Sequence, residues 1–120
     1  MASAHLQHAY LLFNQKRYTD AERSIREHLN SDPQDAEAMH LLGVAQLAQD
    51  RVTEARTTAH AALGIAPADA DLHDLLARVE LHAEEWSKAE EHAQRAVELD
   101  PGRSTHYATL HQRTNIFLDD

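Results

Sequence analysis

Residues 36–67, AEAMHLLGVAQLAQDRVTEARTTAHAALGIAP, decide the fold of this 120-residue chain. The stretch ends at Pro67, and the only other prolines, Pro33 and Pro101, lie at the same distance before and after it. Two further sets of residues keep the same interval, namely Ala21, Ala55 and Ala89, and Leu29, Leu63 and Val97. A fixed period of this length is typical of stacked structural units rather than of one closed core.

The composition indicates that these units are helical. Hydrophobic residues make up 42% of the chain but aromatic residues only 5%, so the core must be built mostly from alanine and leucine. Small residues at close contacts suit helix-on-helix packing, whereas sheets favour β-branched and aromatic side chains. We therefore predict an all-α fold in a single domain spanning residues 1–120.

The charge balance narrows the range of partners. The chain carries 20 acidic and 11 basic residues, for a net charge of -9. No segment is basic, so the electrostatic footprint of a nucleic-acid-binding protein is missing, and an anionic membrane is an equally poor partner. No apolar run approaches the roughly 20 residues of a membrane span. Cysteine is absent, which excludes disulfides and thiol catalysis.

Each repeat is predicted to contain two helices joined by a short turn, with sequence signals at several helix starts. Thr19 with Glu22, and Ser87 with Glu90, have the spacing of capping boxes. Thr53 is expected to cap the fourth helix, and Asp35 the third. The repeats are predicted to span residues 2–35, 36–69 and 70–103, with a capping helix or a truncated fourth repeat at 104–118.

A glycine within the third predicted helix marks a close contact between helices. Gly43 would cost a helix about 1 kcal/mol relative to alanine. Its position in the repeat matches those of Ala9 and Ala77. The shared preference for a very small residue predicts that two helix backbones approach each other there.

These residues resemble the tetratricopeptide repeat family, whose 34-residue pattern is W-x2-L-G-x2-Y, then A-x3-F, then P. The second repeat matches best, with Met39, Leu42, Gly43, Ala55, Ala59 and Pro67. The resemblance covers three repeats and a half, and it implies a right-handed superhelix of antiparallel helix pairs. The sequence departs from the pattern where Gln46 and Glu80 occupy the tyrosine position and His28 an expected alanine. We expect local adjustment around His28.

The resemblance also implies that the first helix of each pair lines a concave groove. The predicted peptide-binding residues are Leu6, Tyr10, Phe13, His40, Val44, Leu47, Asp74, Arg78 and Leu81. Some relatives use lysine, asparagine and arginine in this groove to hold the carboxylate end of a chaperone. In this chain the corresponding positions hold Leu6, Tyr10 and Asp74 instead. Only Arg78 matches the basic residues that those relatives use.

Catalytic and metal-binding readings find little support in the sequence. His5 and His8 can share a helix face, but no zinc motif of the H-E-x-x-H type or paired cysteines is present. There is no G-x-S-x-G sequence and no glycine-rich phosphate loop. We expect no catalytic residue, no metal site and no cofactor, and we interpret most of the ten histidines as solvated.

The sequence therefore predicts a non-enzymatic adaptor, or scaffold, that binds a peptide or helix of a partner protein in its groove. Two alternatives stay open: a regulatory or substrate-docking region of a larger enzyme, and a module that self-associates through its apolar C-terminal end, Ile116 to Leu118. A cytoplasmic location is expected, and the chain is interpreted as either a complete protein or a domain of a longer one.

Overall fold

The computed structural model describes residues 4–103, and these form six α-helices with no strand among them. The helices are α1 (Ala4–Asn14), α2 (Tyr18–Ser31), α3 (Ala36–Ala48), α4 (Val52–Ile65), α5 (Ala70–His82) and α6 (Trp86–Leu99). The chain divides into two compact units, Met1–Ile65 and Ala66–Asp120. The all-α class is confirmed, whereas the predicted helix at 104–118 lies outside the described residues.

The first compact unit contains two helix hairpins that pack on each other. Helix α1 packs against α2, α2 against α3, and α3 against α4. Its core is a cluster of buried apolar side chains with Phe13 and Leu29 packed partly against it, and the buried members are Leu6, Ala9, Ile25, Ala38, Leu41 and Leu42. Alanines at 55, 59 and 62 are fully buried along α4. Small side chains let the helices approach closely, as the composition predicted.

The second compact unit contains the hairpin of α5 and α6, which pack against each other along their length. Leucine and valine supply the apolar side of α5, whereas α6 contributes only alanine to the fully buried set. The buried apolar residues are Leu72, Leu75, Leu76, Ala77, Val79, Ala89, Ala93 and Ala96. Within residues 4–103, no helix is long and apolar enough to cross a bilayer.

The predicted small-residue position is buried in all three hairpins. Ala9 and Ala77 have no exposed surface, and Gly43 is buried as well. Each lies on the first helix of its hairpin, where a larger side chain would have to displace its neighbours. All three small residues are therefore buried, as a position that favours a very small side chain requires.

The starts of the helices correct the predicted capping boxes. Helices α2 and α6 begin at Tyr18 and Trp86, one residue before Thr19 and Ser87, and neither N-cap residue has a side-chain cap. Helix α4 likewise begins at Val52, so Thr53 lies inside it. The hydroxyl of Thr19 instead donates to Gln49 Oε1 at 3.1 Å. Only the cap at Asp35 is confirmed: its side chain accepts a hydrogen bond from the Ala38 amide at the start of α3.

The first helix of each hairpin is followed by one non-glycine residue with a positive φ angle. Lys16, Asp50 and Glu84 have φ values of 59°, 63° and 60° and occupy the same position in successive repeats. The amide of the next residue donates to the carbonyl five residues back in each case, at 2.9 Å: Arg17 to Leu12, Arg51 to Gln46, and Glu85 to Glu80. This is the Schellman arrangement, in which glycine is the usual residue.

Replacing Glu84 with glycine should therefore stabilise the protein. A side chain in the left-handed region costs roughly 1–2 kcal/mol, and glycine avoids that cost but loses more chain entropy on folding. We expect a net gain of about 0.5–1 kcal/mol in the free energy of unfolding, measured by urea denaturation. The control is Ala83→Gly at the preceding residue, where φ is -84° and the same change should destabilise. A loss of stability in Glu84→Gly would contradict the strain argument.

Candidate binding face

A tyrosine and a glutamate join the first helices of the two hairpins in the first compact unit. The hydroxyl of Tyr10, on α1, donates to Glu37 Oε1 on α3 at 2.7 Å. Partial burial, together with this hydrogen bond and the negative charge of Glu37, raises the pKa of Tyr10 to about 12. Because the folded pKa lies above the ordinary tyrosine value, the contact stabilises the fold below pH ~10 and is lost as the pH rises through about 12.

The surface beside Tyr10 continues along α3. His40, Val44 and Leu47 follow Glu37 at helical spacing, so they lie on one side of α3, and all three are half-buried. Tyr10 itself keeps 42% of its surface exposed. We call these five residues the α1/α3 face. It combines an aromatic ring with aliphatic side chains and a single carboxylate.

Two of the residues predicted to line the groove in this unit have other environments. Leu6 is 2% exposed and belongs to the buried core cluster, so it offers no surface to a ligand. Phe13 is half-buried against the same cluster and makes an edge-to-face contact with Tyr18, with ring centroids 5.8 Å apart. Tyr18 therefore lies between the helices of its own hairpin, and Phe13 contributes chiefly to packing.

The predicted residues of the second unit form an ion pair on α5. Asp74 is buried, and its Oδ2 lies 3.0 Å from a guanidinium nitrogen of Arg78. The other oxygen of Asp74, Oδ1, is buried with no hydrogen-bond partner in the described part of the chain. Leu81 is half-buried one turn further on. Arg78 is thus already engaged by a carboxylate of its own helix.

The first helices carry few cations. Neither α1 nor α3 contains a lysine or an arginine, and Arg78 is the one such residue on α5. A site that holds a free carboxylate normally uses arginine or lysine as the donor. The α1/α3 face contains no arginine or lysine, whereas it presents the carboxylate of Glu37.

A buried glutamate joins the two hairpins on the other side of this unit. The side chain of Glu22, on α2, is 11% exposed. Its Oε2 accepts two hydrogen bonds from Arg26, at 3.0 and 2.8 Å, and its Oε1 accepts from Arg51 and from Gln49 Nε2. These residues border a pocket of about 420 Å³. The sequence analysis assigned Glu22 to a capping box and missed this network.

A second cluster occupies the loop between α2 and α3. His28 is 8% exposed, and its Nε2 lies 2.7 Å from Asp35 Oδ2. A carboxylate oxygen of Asp32 completes a group whose ligand atoms all lie within 4.8 Å of one another. The expected adjustment around His28 takes this form, a polar contact at the loop. The histidines that the sequence analysis considered, His5 and His8, are both exposed, and His5 contacts Glu27.

Helix α1 also carries an exposed leucine that the sequence analysis overlooked. Leu11 is 59% exposed, more than any other large hydrophobic residue among those described. It lies about 100° around the helix from Tyr10 and therefore points away from the α1/α3 face. An isolated exposed leucine is common on soluble proteins and does not by itself indicate a site.

Helix hairpins that are repeated at a constant interval, with small residues at the helix contacts, define a helical-repeat protein. A profile of the tetratricopeptide repeat matches residues 12–79 and 46–114. The chain therefore belongs to the tetratricopeptide repeat family.

Several solved structures share this fold. The first TPR domain of human RPAP3 superposes with a TM-score of 0.88 at 13% identity, over 96% of this chain and 91% of that one. A structure of the first TPR of Spaghetti (RPAP3) bound to the HSP90 peptide SRMEEVD has a TM-score of 0.85 at 13% identity, over 95% of this chain and 90% of that one. MamA (41-end) from Desulfovibrio magneticus RS-1 has a TM-score of 0.80 at 28% identity, over 97% of this chain and 65% of that one. A search of curated proteins gave no significant match.

Proposed function

We propose that this chain is a non-enzymatic binding module that holds a segment of another protein on the α1/α3 face. The observation that carries the proposal is Tyr10, which is 42% exposed on a helix where the apolar residues Leu6, Ala9 and Leu12 are buried. An aromatic ring beside half-buried aliphatic side chains is the usual composition of a peptide-binding surface. The hydrogen bond to Glu37 fixes the ring in place before any ligand arrives.

The charge of the face defines the chemistry of the partner. The RPAP3 structure carries an acidic peptide that ends in EEVD. Here α1 and α3 supply no arginine or lysine to meet such a segment, and the chain as a whole has a net charge of -9. We propose a partner segment with apolar side chains and a basic residue that pairs with Glu37. Neither a free C-terminus nor an acidic motif is needed.

The mode of binding follows from the helical walls of the face. A helix or an extended peptide laid against two helices contacts them through side chains spaced one turn apart. We expect a dissociation constant near micromolar for such a segment, which corresponds to about -8 kcal/mol. Because an aromatic anchor commonly contributes about 1–3 kcal/mol of that energy, Tyr10 is the residue to test.

Replacing Tyr10 with alanine should weaken peptide binding about tenfold or more. Peptides would be selected from a displayed random library against the wild-type chain, and their affinities measured by fluorescence anisotropy. The matched control is Leu11→Ala, the adjacent and more exposed apolar residue, which should leave affinity unchanged. Tyr10→Phe keeps the ring but loses the hydroxyl, so it separates contact with the ring from the fixing of the ring by Glu37.

The selected sequences themselves provide a second measurement. We expect apolar peptides with at least one lysine or arginine, and we expect Glu37→Lys to abolish their binding and favour acidic ones. Circular dichroism of each variant checks that the helices are retained. Selection of acidic peptides by the wild type, or equal affinities for Tyr10→Ala and Leu11→Ala, would contradict the proposed face.

A further inference from the structure

We propose that the loop between α2 and α3 is a binding site for a divalent transition-metal cation, with His28, Asp32 and Asp35 as ligands. A ring nitrogen of His28 and one carboxylate oxygen from each aspartate lie within 4.8 Å of one another. This group shares no residue with the α1/α3 face, and the proposal does not depend on the proposed function.

The environment of His28 distinguishes this group from an ordinary cluster of acids. His28 is 8% exposed, whereas the corresponding residues of the next two repeats, Ala62 and Ala96, are alanines with no exposed surface. A buried position that needs only a small apolar side chain therefore holds an imidazole instead. Its Nε2 lies 2.7 Å from Asp35 Oδ2 at the edge of the loop rather than in the apolar core.

The complete set of ligands occurs only in this loop. In the second and third repeats, the position of Asp35 holds Asp69 and Arg103, and that of Asp32 holds Ala66 and Asp100. The later loops therefore keep at most one carboxylate and no histidine. They have the same repeat fold without the group, so the histidine is not a requirement of the hairpin.

The backbone and the helix ends hold the aspartates in position. Oδ1 of Asp35 accepts from the Ala38 amide at the start of α3, which leaves Oδ2 directed at His28. The amide of Asp32 donates to the His28 carbonyl at 3.0 Å, and the amide of Asp35 donates to the Asp32 carbonyl at 3.3 Å. The Ala38 amide is a donor from outside the proposed ligand set, and such outer hydrogen bonds typically orient metal-binding carboxylates.

The ligand set indicates the class of cation. One imidazole nitrogen and two carboxylate oxygens suit Zn²⁺ and its neighbours, whereas Mg²⁺ and Ca²⁺ prefer oxygen ligands alone. Bond lengths of about 2.0–2.2 Å place tetrahedral ligands roughly 3–3.5 Å apart. The contact between His28 and Asp35 would thus open slightly from 2.7 Å to admit the ion. The side chain of Asp32 is exposed, so water can reach the remaining coordination position.

Zinc titration of the untagged chain tests the proposal. Isothermal titration calorimetry with Zn²⁺ alone should show one site that EDTA reverses and that Mg²⁺ does not fill. His28→Ala should weaken this site at least tenfold. That variant introduces the residue found at the two equivalent positions, so it is expected to fold. Asp32→Asn changes an exposed side chain outside both helices, and it should weaken the site as well without disturbing the fold.

The exposed histidines provide the matched control, because His5 and His8 could bind zinc adventitiously. A His5→Gln/His8→Gln double variant should retain the wild-type affinity. Substitution with Co²⁺ gives a spectroscopic readout, since the intensity of its visible absorption reports coordination by His28 in the wild type and its loss in His28→Ala. Unchanged affinity in both His28→Ala and Asp32→Asn would overturn the proposal, as would loss of the site in the double variant.

Discussion

Replacing Glu22 with alanine should lower the free energy of unfolding by about 2–3 kcal/mol. Breaking a fully buried ion pair costs roughly 3–5 kcal/mol because it leaves a charge without its partner. Here Glu22 is nearly buried, with a side chain 11% exposed, but Arg26 and Arg51 keep 54% and 34% of theirs. Water can solvate the two guanidinium groups once the carboxylate is removed, so the expected loss lies at or below the lower end of that range.

Glu22→Ala should also lower the free energy of unfolding because Glu22 connects the two hairpins. Glu22 lies on α2, whereas Arg51 follows the turn after α3, and Gln49 ties that turn to α3 through a hydrogen bond to the Ala45 carbonyl at 2.9 Å. Removing the carboxylate releases Arg51 and Gln49 together. We therefore expect the stability of α1–α4 to fall as a whole, since α2 and α3 pack on each other across this network.

Because the pKa of Glu22 is shifted, its contribution to stability should depend on pH. Burial raises the pKa of this carboxyl, but hydrogen bonds from Arg26, Arg51 and Gln49 outweigh burial and hold it below the ordinary glutamate value. A group with a lowered folded pKa stabilises the protein above its unfolded pKa, and this stability is lost as the pH falls through the folded value. The wild type should lose this contribution below pH ~4, whereas Glu22→Gln should lack that part of the pH dependence.

Urea denaturation at neutral and acidic pH measures both effects. The control is Glu27→Ala on the same helix, whose side chain is 52% exposed and lies 3.2 Å from the exposed His5. A pair of that kind contributes at most about 1 kcal/mol. Equal losses for Glu22→Ala and Glu27→Ala would show that the network does not hold the hairpins together.

Periodicity made the fold accessible from the sequence. The equal spacing of the prolines, and of the small residues at Ala9, Gly43 and Ala77, predicted helix hairpins whose buried positions the structure confirms. Asp35 was recognised as a cap because an aspartate just before an apolar helical pattern uses only local information. Features that recur once per hairpin and depend on near neighbours are the ones that a single sequence reveals.

Features that depend on contacts distant in sequence were not accessible in the same way. Thr19 and Glu22 have the spacing of a capping box, yet their partners Gln49 and Arg51 belong to the next repeat and compete for both side chains. The positive φ angles were missed because Lys16 and Glu84 are not the glycine that such turns favour.

At the candidate site, too, the sequence predicted some features and missed those that depend on neighbouring helices. Helical phase correctly placed Tyr10 at the surface, but it assigned Leu6 and Phe13 to the same open side of α1. The phase of a helix gives the direction of a side chain, and only the neighbouring helices decide whether that direction is covered. Here α2 covers Phe13 through Tyr18, and the core cluster encloses Leu6. Tyr10 stays exposed because its neighbour on α3 is Glu37, which meets the hydroxyl and not the ring.

Replacing Ile25 with alanine should destabilise the protein by about 3–4 kcal/mol, the largest effect of the changes considered. Ile25 is fully buried on α2 and belongs to the cluster that includes Leu6 and Ala9 of α1 and Leu41 and Leu42 of α3. Truncation removes three buried carbons and leaves a cavity, and such changes typically cost about 2–5 kcal/mol. Because the surrounding helices are held at close distance by alanines, they cannot move further inward to fill the space.

A graded pair of variants separates this cavity effect from a general sensitivity to mutation. Ile25→Val deletes one methylene group and should cost about 0.5–1.5 kcal/mol, whereas Leu11→Ala removes an exposed side chain and should cost about 0.5 kcal/mol or less. Hydrogen exchange should show the loss for Ile25→Ala in the amides of α1, α2 and α3, which contribute to the shared cluster. A cost for Ile25→Ala no larger than that for Leu11→Ala would mean that α2 does not hold α1 and α3 together through this side chain.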